Sequence, residues 1–223
     1  EALGRRALAA RCDVRSPEEV AAAVRAAAEA FGGLDVVVAN AGFGVVGAVE
    51  ALSADDFRRQ FETNVFGVLH TVHAAIPELA KSRGRLALVG SVSGIVTVPY
   101  TAAYSMSKHA VRSLADALFH ELRPRGISTT LVSPGFIESE FRRVDNRGVH
   151  HPGAKDPVPP RLAMPVATAA RKIVRAIARR RREIILTGHG KVGVFLQRHL
   201  PGVLSLFFRW SGYRGRREPE SPE

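Results

Sequence analysis

The sequence has little cysteine, little glycine near its beginning and no long apolar run, and each shortage excludes a class of protein or site. Cys12 is the only cysteine in 223 residues, so no disulfide can form within the chain. A chain without disulfides fits a reducing compartment, and we expect a cytoplasmic protein. No uninterrupted apolar run approaches the roughly 20 residues of a transmembrane helix. Gly4 is the only glycine before Gly32, so the beginning of the chain contains no glycine-rich phosphate-binding turn.

Acidic side chains are almost missing from one region of the chain. Residues 161–217 contain 14 lysines and arginines against the single carboxylate Glu183, whereas residues 1–160 are nearly neutral. The net charge of +11 therefore belongs to the C-terminal part. A basic surface can attract nucleic acid. However, the cluster Arg179–Arg182 has no interleaved aromatic residues and no recognisable motif, so nucleic acid is not expected as a partner.

Short apolar runs alternate with helical patterns along the chain. Four of the runs are typical of strands buried in a parallel sheet: residues 34–39, 86–90, 128–132 and 183–187. Residues 7–11 form a further strand-like run. Helices are predicted between the strands, and capping signals mark their beginnings at Ser16 and Ser53. This alternation predicts an α/β fold with a doubly wound parallel sheet.

A tyrosine and a lysine four residues apart follow the second of these predicted strands. Tyr104 and Lys108 would share one face of a helix, one turn apart. A cation beside a phenol favours the tyrosinate, and such a phenol can exchange a proton with a carbonyl or alcohol oxygen. The pair alone is weak evidence, because any long surface helix can carry it. Ser91, thirteen residues before Tyr104, adds a hydroxyl at the end of the strand.

The set of Ser91, Tyr104 and Lys108 resembles the catalytic serine, tyrosine and lysine of the short-chain dehydrogenase/reductase family. Further elements match that family in the same order: Asp13-Val14, Asn40-Ala41-Gly42, Asn64 within Thr-Asn-Val-Phe-Gly, and Pro134-Gly135-x-x-x-Ser139. Serine replaces the family's threonine at position 139 and keeps the hydroxyl. The resemblance covers about residues 1–190 and implies a Rossmann-like catalytic domain.

The resemblance implies an NAD(P)-dependent oxidoreductase that interconverts a carbonyl and a secondary alcohol by hydride transfer. Tyr104 would be the general acid/base, and Ser91 would hold the substrate oxygen. Lys108 would lower the pKa of the tyrosine and bind the nicotinamide ribose. Asn64 would hold a helix bulge and complete the proton relay through a water. A small-molecule carbonyl or alcohol is the implied substrate.

The resemblance also implies how the cofactor is bound. Asp13 would receive the adenine amino group, and the element from 134 to 139 would bind the nicotinamide carboxamide. The full implied set is Asp13, Val14, Asn40, Ala41, Gly42, Tyr104, Lys108, Pro134, Gly135, Ile137 and Ser139. No metal is expected, because His150-His151 has no carboxylate or cysteine partners at ligand spacing. The family usually pairs subunits through two long helices, here 53–80 and 104–122, so a homodimer or tetramer is expected.

The family's first strand, its glycine-rich turn, the following helix and the second strand have no counterpart here. We therefore expect a sheet that lacks its first strand-helix-strand unit, in a fragment of a longer enzyme that is unstable or inactive alone. The choice between NAD and NADP is not readable, because its determinants lie at the end of the family's second strand. The alternative is a non-catalytic fragment or scaffold without bound cofactor. A sugar epimerase shares the tyrosine and lysine, but the Asn-Ala-Gly and Pro-Gly elements favour a dehydrogenase.

Two regions lie outside the matched motifs. Residues 140–165 are rich in proline and predict a long loop, which corresponds to the family's substrate flap. Arginines in this loop could favour an acidic substrate. Residues 191–223 form a basic, amphipathic C-terminal tail. The tail could pack on the protein's own body, cover the substrate pocket, contact another subunit or lie on an anionic membrane surface.

Overall fold

The computed structural model describes residues 4–211, and within them four parallel strands form one sheet. The strands are β1 Val36–Ala39, β2 Arg85–Val89, β3 Ser128–Ser133 and β4 Glu183–Ile185. They lie in the spatial order β1-β2-β3-β4, with Ala39 beside Leu88 and Leu88 beside Leu131. The four predicted buried strands are confirmed, with shorter bounds at β1 and β4.

Seven α-helices connect or follow these strands in the described part. They are α1 Pro17–Phe31, α2 Ala54–Phe61, α3 Gly67–Ser82, α4 Ala102–Glu121, α5 Val166–Ala178, α6 Gly188–His199 and α7 Pro201–Ser211. The predicted caps are confirmed: the Ser16 side chain accepts a hydrogen bond from the Glu19 N–H, and Ser53 forms a capping box with Asp56. Gly32, in the left-handed region at φ 79°, ends α1.

The long helix predicted from residue 53 is interrupted. Glu62–Phe66 forms a π-helical turn between α2 and α3, and Asn64 is buried within it. A π-helical turn inserts one extra residue into the helix and is frequently found at functional sites. The resemblance had implied a bulge held by this asparagine.

Helices cover both faces of the sheet. Leu131 and Val132 are consecutive in β3, so their side chains point to opposite faces. Leu131 belongs to the larger core, where residues of α3 and α4 such as Leu79 and Val111 are fully buried. Val132 packs instead with Ala169 of α5. The predicted doubly wound arrangement is therefore confirmed.

At the β1 edge of the sheet, the face opposite the larger core is exposed. Val36 and Val38 point away from the larger core and are exposed. The strand predicted at residues 7–11 is wrong: this segment is irregular, exposed and unpaired with any strand between residues 4 and 211. A strand is stabilised by its ladder of backbone hydrogen bonds, and no neighbouring strand within the described range supplies one to this segment.

The two regions outside the motifs have defined structures as far as residue 211. Residues 140–165 form the predicted loop, with short 3₁₀ turns at Glu140–Arg143 and Pro160–Leu162. The predicted boundary of the tail at residue 191 falls inside α6, which begins at Gly188 because the Thr187 side chain caps it. The rest of the predicted tail, 212–223, lies outside the described residues. No helix between residues 4 and 211 has both the length and the hydropathy to cross a bilayer.

Candidate active site

A cavity of about 830 Å³ lies at the carboxyl ends of the parallel strands. Nine of the residues predicted for the site line it together: Asn40, Gly42, Ser91, Tyr104, Lys108, Pro134, Gly135, Ile137 and Ser139. The other four, Asp13, Val14, Ala41 and Asn64, are not among its lining residues. Ligands of open α/β sheets bind outside the carboxyl ends of the strands, so this is where a substrate and a cofactor would be expected.

The ammonium of Lys108 is buried beside the phenol of Tyr104. Lys108 is 4% exposed, and its Nζ donates a hydrogen bond to the Val89 carbonyl oxygen at 2.9 Å. The Nζ lies 5.9 Å from the centroid of the Tyr104 ring. Burial lowers the pKa of Lys108 from 10.5 to about 8, because the charged form loses its hydration. The helical spacing therefore brings the pair together as predicted.

The segment after β2 holds Ser91 in position. The Val92 N–H donates to the Pro134 carbonyl at 2.8 Å, which ties this segment to the loop after β3. Gly94 packs against the backbone of α4, since a Cβ at this position would lie 2.6 Å from the Lys108 carbonyl oxygen. Ser91 Oγ accepts a hydrogen bond from the Ser93 N–H at 3.0 Å, a role that leaves the hydroxyl hydrogen for another partner.

Asn64 acts as a clamp on the segment after β1. Its Oδ1 accepts from the Phe43 N–H at 3.1 Å, and its Nδ2 donates to the Phe43 carbonyl at 2.9 Å and to Ser107 Oγ at 3.1 Å. A Cβ at Gly42 would lie 2.9 Å from Asn64 Oδ1, so the backbone at Gly42 requires the absence of a side chain. The proton-relay role of Asn64 stays a prediction.

Two further amide side chains hold the same segment, and the sequence analysis missed both. Gln60 is fully buried; its Oε1 accepts from the Val45 N–H at 2.6 Å, and its Nε2 donates to the Phe43 carbonyl at 2.9 Å. Asn146 accepts from the Val46 N–H and donates to the Val46 carbonyl, at 2.9 and 2.8 Å. The sequence did contain a signal for Gln60, because it is a polar residue on the apolar face of α2. Asn146, a hundred residues away in a loop, gave none.

The loop 140–165 lies over the tyrosine. The rings of Phe141 and Tyr104 are 5.6 Å apart. Arg142 is buried, donates from Nε to Asp156 Oδ1 at 2.6 Å, and donates to the Ile137 carbonyl at 2.9 Å. The guanidinium of Arg142 is therefore paired inside the loop, so it is not held free for the acidic substrate that arginines of this loop could have favoured.

His189, another residue that the sequence analysis missed, holds the loop after β3. Its Nε2 accepts from the Phe136 N–H at 3.2 Å, and the two rings are 5.1 Å apart. Burial lowers the pKa of His189, which favours the neutral ring that can accept this bond. Gly135 leaves no room for a side chain, since a Cβ would lie 2.2 Å from Thr187 Oγ1. No sequence motif marked His189, because two glycines flank it directly after a predicted strand; the structure places it in the first turn of α6.

Asp13 and Val14 lie apart from the cavity. Both carboxylate oxygens of Asp13 accept from Arg15 Nε at 3.0 Å, and this hydrogen-bonded pair lowers the pKa of Asp13 to about 2. The Val14 side chain packs over Gly67, where a Cβ would lie 2.7 Å from it, and the Val14 carbonyl accepts from His70 Nδ1. Val14 thus has a structural role, and the binding of adenine by this pair stays a prediction.

The groups at the cavity fit the nicotinamide and ribose half of a dinucleotide. Gly42 and Gly135 line the cavity and have no side chains to occupy the space that a nicotinamide ring needs. The ammonium of Lys108 is a donor that matches ribose hydroxyls. The 223 residues contain no glycine-rich turn that would hold the phosphates.

Comparison with known proteins places these features in a family. The family model described as short chain dehydrogenase matches residues 1–149. Dehydrogenase/reductase SDR family member 7B of Bos taurus is 30% identical over 213 residues, a match that covers 94% of this chain and 64% of that protein. The chain thus spans somewhat less than two thirds of the length of this curated relative. The 3-ketodihydrosphingosine reductase of Bacteroides thetaiotaomicron is 36% identical over 138 residues, covering 61% of this chain and 51% of that protein.

Solved structures agree with these sequence matches. A short chain dehydrogenase/reductase from Burkholderia phymatum in complex with NAD has a TM-score of 0.78 at 28% identity, covering 99% of this chain and 82% of that one. The alcohol dehydrogenase from the archaeon Thermococcus sibiricus complexed with 5-hydroxy-NADP has a TM-score of 0.66 at 26% identity, covering 79% and 72%.

The packing of Gly94 against α4 leads to a first prediction. Gly94→Ala would push a methyl group into the Lys108 backbone, which cannot move without shifting the helix. We expect a loss of about 1–3 kcal/mol in the free energy of unfolding, measured by denaturant melts. The control is Gly153→Ala, where a Cβ meets nothing within 4 Å, and its effect should stay below about 1 kcal/mol. Equal effects of the two substitutions would show that the contact at Gly94 is not tight.

The buried ammonium leads to a second prediction. Because the pKa of Lys108 falls from 10.5 to about 8 on folding, its charge destabilises the native state at pH 7 by up to about 3 kcal/mol. We expect Lys108→Met to be more stable than the wild type at pH 7. The difference should shrink as the pH rises from 8 to 10.5, since the native wild type then loses the buried charge. The measurement is urea unfolding as a function of pH.

Lys172→Met is the matched control for this substitution. Lys172 Nζ also donates to a carbonyl, that of Leu186 at 3.1 Å, but Lys172 is exposed. We expect this variant to follow the pH dependence of the wild type. A Lys108→Met protein that is less stable at pH 7, or whose difference from the wild type does not depend on pH, would contradict the burial of a charged ammonium.

Proposed function

Because the chain belongs to the short-chain dehydrogenase family, we propose that the protein carrying it is an NAD(P)-dependent oxidoreductase that interconverts a carbonyl and a secondary alcohol. One observation carries the proposal. A phenol, a buried ammonium and a hydroxyl, those of Tyr104, Lys108 and Ser91, line the same cavity as the loop after β3. General acid/base chemistry on an oxygen needs these three kinds of group close together.

The proposed roles follow from the chemistry of each side chain. Ser91 would donate its hydroxyl hydrogen to the substrate oxygen and orient the carbonyl. Tyr104 would give its proton to that oxygen during reduction and take it back during oxidation. The ammonium of Lys108 would stabilise the phenolate left on Tyr104, because opposite charges attract strongly away from water. The bound nicotinamide would supply or accept the hydride.

The loop 140–165 supports the proposal by shielding the tyrosine. Phe141 contacts the Tyr104 ring, and the pairing of Arg142 with Asp156 fixes the turn that carries Phe141. Excluding water from around the phenol would strengthen its interaction with Lys108.

We propose a ketone with an apolar chain as the substrate class. Apart from the reactive groups, much of the cavity lining is aliphatic or aromatic: Val46, Val96, Val98, Phe141, Val144 and Val158. A cavity lined in this way favours apolar substrate groups. The name of the Bacteroides thetaiotaomicron relative, a 3-ketodihydrosphingosine reductase, describes an enzyme for a ketone of this kind. With Arg142 paired to Asp156, an acidic substrate has less support.

Removing the phenol hydroxyl tests the proposed reaction. In the protein that carries these residues, Tyr104→Phe should lower kcat by about 10²–10⁴-fold, since the proton donor is lost while the ring contact with Phe141 remains. The measurement is the carbonyl-dependent loss of NADH or NADPH absorbance.

Tyr100→Phe is the matched control, because Tyr100 is exposed and is not among the lining residues of the cavity. It should keep the wild-type kcat. If the wild type turned over no carbonyl with either cofactor, the non-catalytic scaffold would replace the enzyme as the better hypothesis. A Tyr104→Phe protein with unchanged kcat would remove Tyr104 from the mechanism.

A series of methyl ketones of increasing chain length tests the substrate class. Each buried methylene contributes about 0.8 kcal/mol, so kcat/KM should rise by up to about fourfold per methylene until the cavity is filled. The control series carries a terminal carboxylate at each length and should react more slowly. A profile that is flat with chain length, or faster for the carboxylates, would show that the apolar lining does not select the substrate.

A further inference from the structure

The last helix, α7, carries an apolar face that the rest of the described chain leaves uncovered. In α7, the residues at i, i+3, i+4 and i+7 are Val203, Leu206, Phe207 and Trp210, so they lie on one side of the helix. All four are exposed, and Trp210 is 91% exposed. Val192 and Phe195 of α6 are exposed as well. We call the four exposed side chains of α7 the outer face.

A different side of α7 holds the helices on the protein. Leu204 is buried and packs with Val96 and Val194, and Phe208 joins the same cluster. The exposed stripe is therefore additional to the contact that α7 needs for docking. A helix that docks with one stripe and presents a second large apolar stripe to solvent is rare in proteins without a binding partner for it.

The charged side chains of α6 and α7 themselves are all basic. Lys191, Arg198 and Arg209 belong to the same two helices, and the sequence contains no acidic residue from 184 to 217. Arg198 lies 3.8 Å from Glu183, which also binds Arg112 at 2.6 Å. Between residues 4 and 211, no carboxylate lies within 4 Å of the cationic groups of Lys191 or Arg209.

We propose that the outer face binds the surface of an anionic lipid bilayer. Apolar side chains next to lysine and arginine on a helix that lies flat are what such a surface binds, through buried area and through attraction to anionic headgroups. Tryptophan is enriched at the boundary between headgroups and hydrocarbon, which fits the exposure of Trp210. A second copy of the chain is a poorer partner, since a symmetric contact would bring the same cations together.

The helix that carries the outer face is docked on residues that also form the wall of the cavity. The cluster that docks α6 and α7 includes Val92 and Val96, and both also line the cavity. A bilayer on the outer face would therefore lie on the far side of helices that support the cavity wall. The proposal is independent of the proposed reaction and does not require turnover.

Trp210 makes the test direct, because it is the only tryptophan in the chain. The protein that carries this chain is floated with vesicles of phosphatidylglycerol and phosphatidylcholine, and with vesicles of phosphatidylcholine alone. We expect salt-sensitive flotation with the anionic vesicles, accompanied by a blue shift of the tryptophan emission. Chain that stays at the bottom of the gradient at low salt, with unchanged emission, would overturn the proposal.

Single substitutions test whether vesicle binding depends on the outer face or on any exposed apolar side chain of the protein. Leu206→Asp and Phe207→Asp should each weaken partitioning into anionic vesicles by at least about tenfold, because each removes an apolar side chain that the bilayer would bury and adds a charge that the anionic headgroups repel. Val174→Asp on α5 is the matched control, since Val174 is 65% exposed and lies outside the outer face. It should bind like the wild type, and a melt of each variant checks folding.

Two further outcomes would overturn the proposal. Equal weakening by Leu206→Asp and Val174→Asp would mean that binding depends on net charge alone. A dimer in sedimentation experiments that Leu206→Asp dissociates, without vesicle binding by the wild type, would identify a second copy as the occupant of the outer face.

Discussion

The buried ammonium of Lys108 is the constraint on which the candidate site depends. Removing a lysine from water costs free energy, and here the cost appears as a pKa of about 8 in place of 10.5. Three elements of the fold meet at the charge. The end of β2 supplies the Val89 carbonyl, α4 supplies the lysine, and the turn after β1 passes close by at Gly42. The charge lies beside the phenol of Tyr104, the group whose protonation state would change in the proposed reaction.

Around that charge, side-chain hydrogen bonds and close contacts at glycines hold irregular backbone segments in place. Amide side chains from the interrupted helix and from the loop 140–165 bind the backbone of residues 43–46. Gly94 and Gly135 allow neighbouring segments to touch without a side chain between them. Without these hydrogen bonds, the N–H and C=O groups of this irregular backbone would be unpaired. An active site also needs its functional groups fixed to within a fraction of an ångström.

Short-range patterns predicted much of this arrangement. The caps at Ser16 and Ser53, the four buried strands and the one-turn spacing of Tyr104 and Lys108 are local, and all agree with the structure. What the sequence could not predict depends on distant partners. Residues 7–11 have the composition of a strand but no neighbouring strand in the described range to pair with, and Arg142 acquires its role only because Asp156 folds against it. The roles of Asn146 and His189 likewise depend on contacts across the fold.

The central claim is that Lys108 carries a charge inside the cavity, and NMR of the lysine side chains tests it most directly. With ¹⁵N-labelled lysine, the Nζ signal that disappears in Lys108→Met is assigned to Lys108 and followed with pH. A midpoint near 8 is predicted, since burial lowers the pKa from 10.5 to about 8. A midpoint near 10.5 would mean that the ammonium is hydrated like a surface lysine, which would contradict the account.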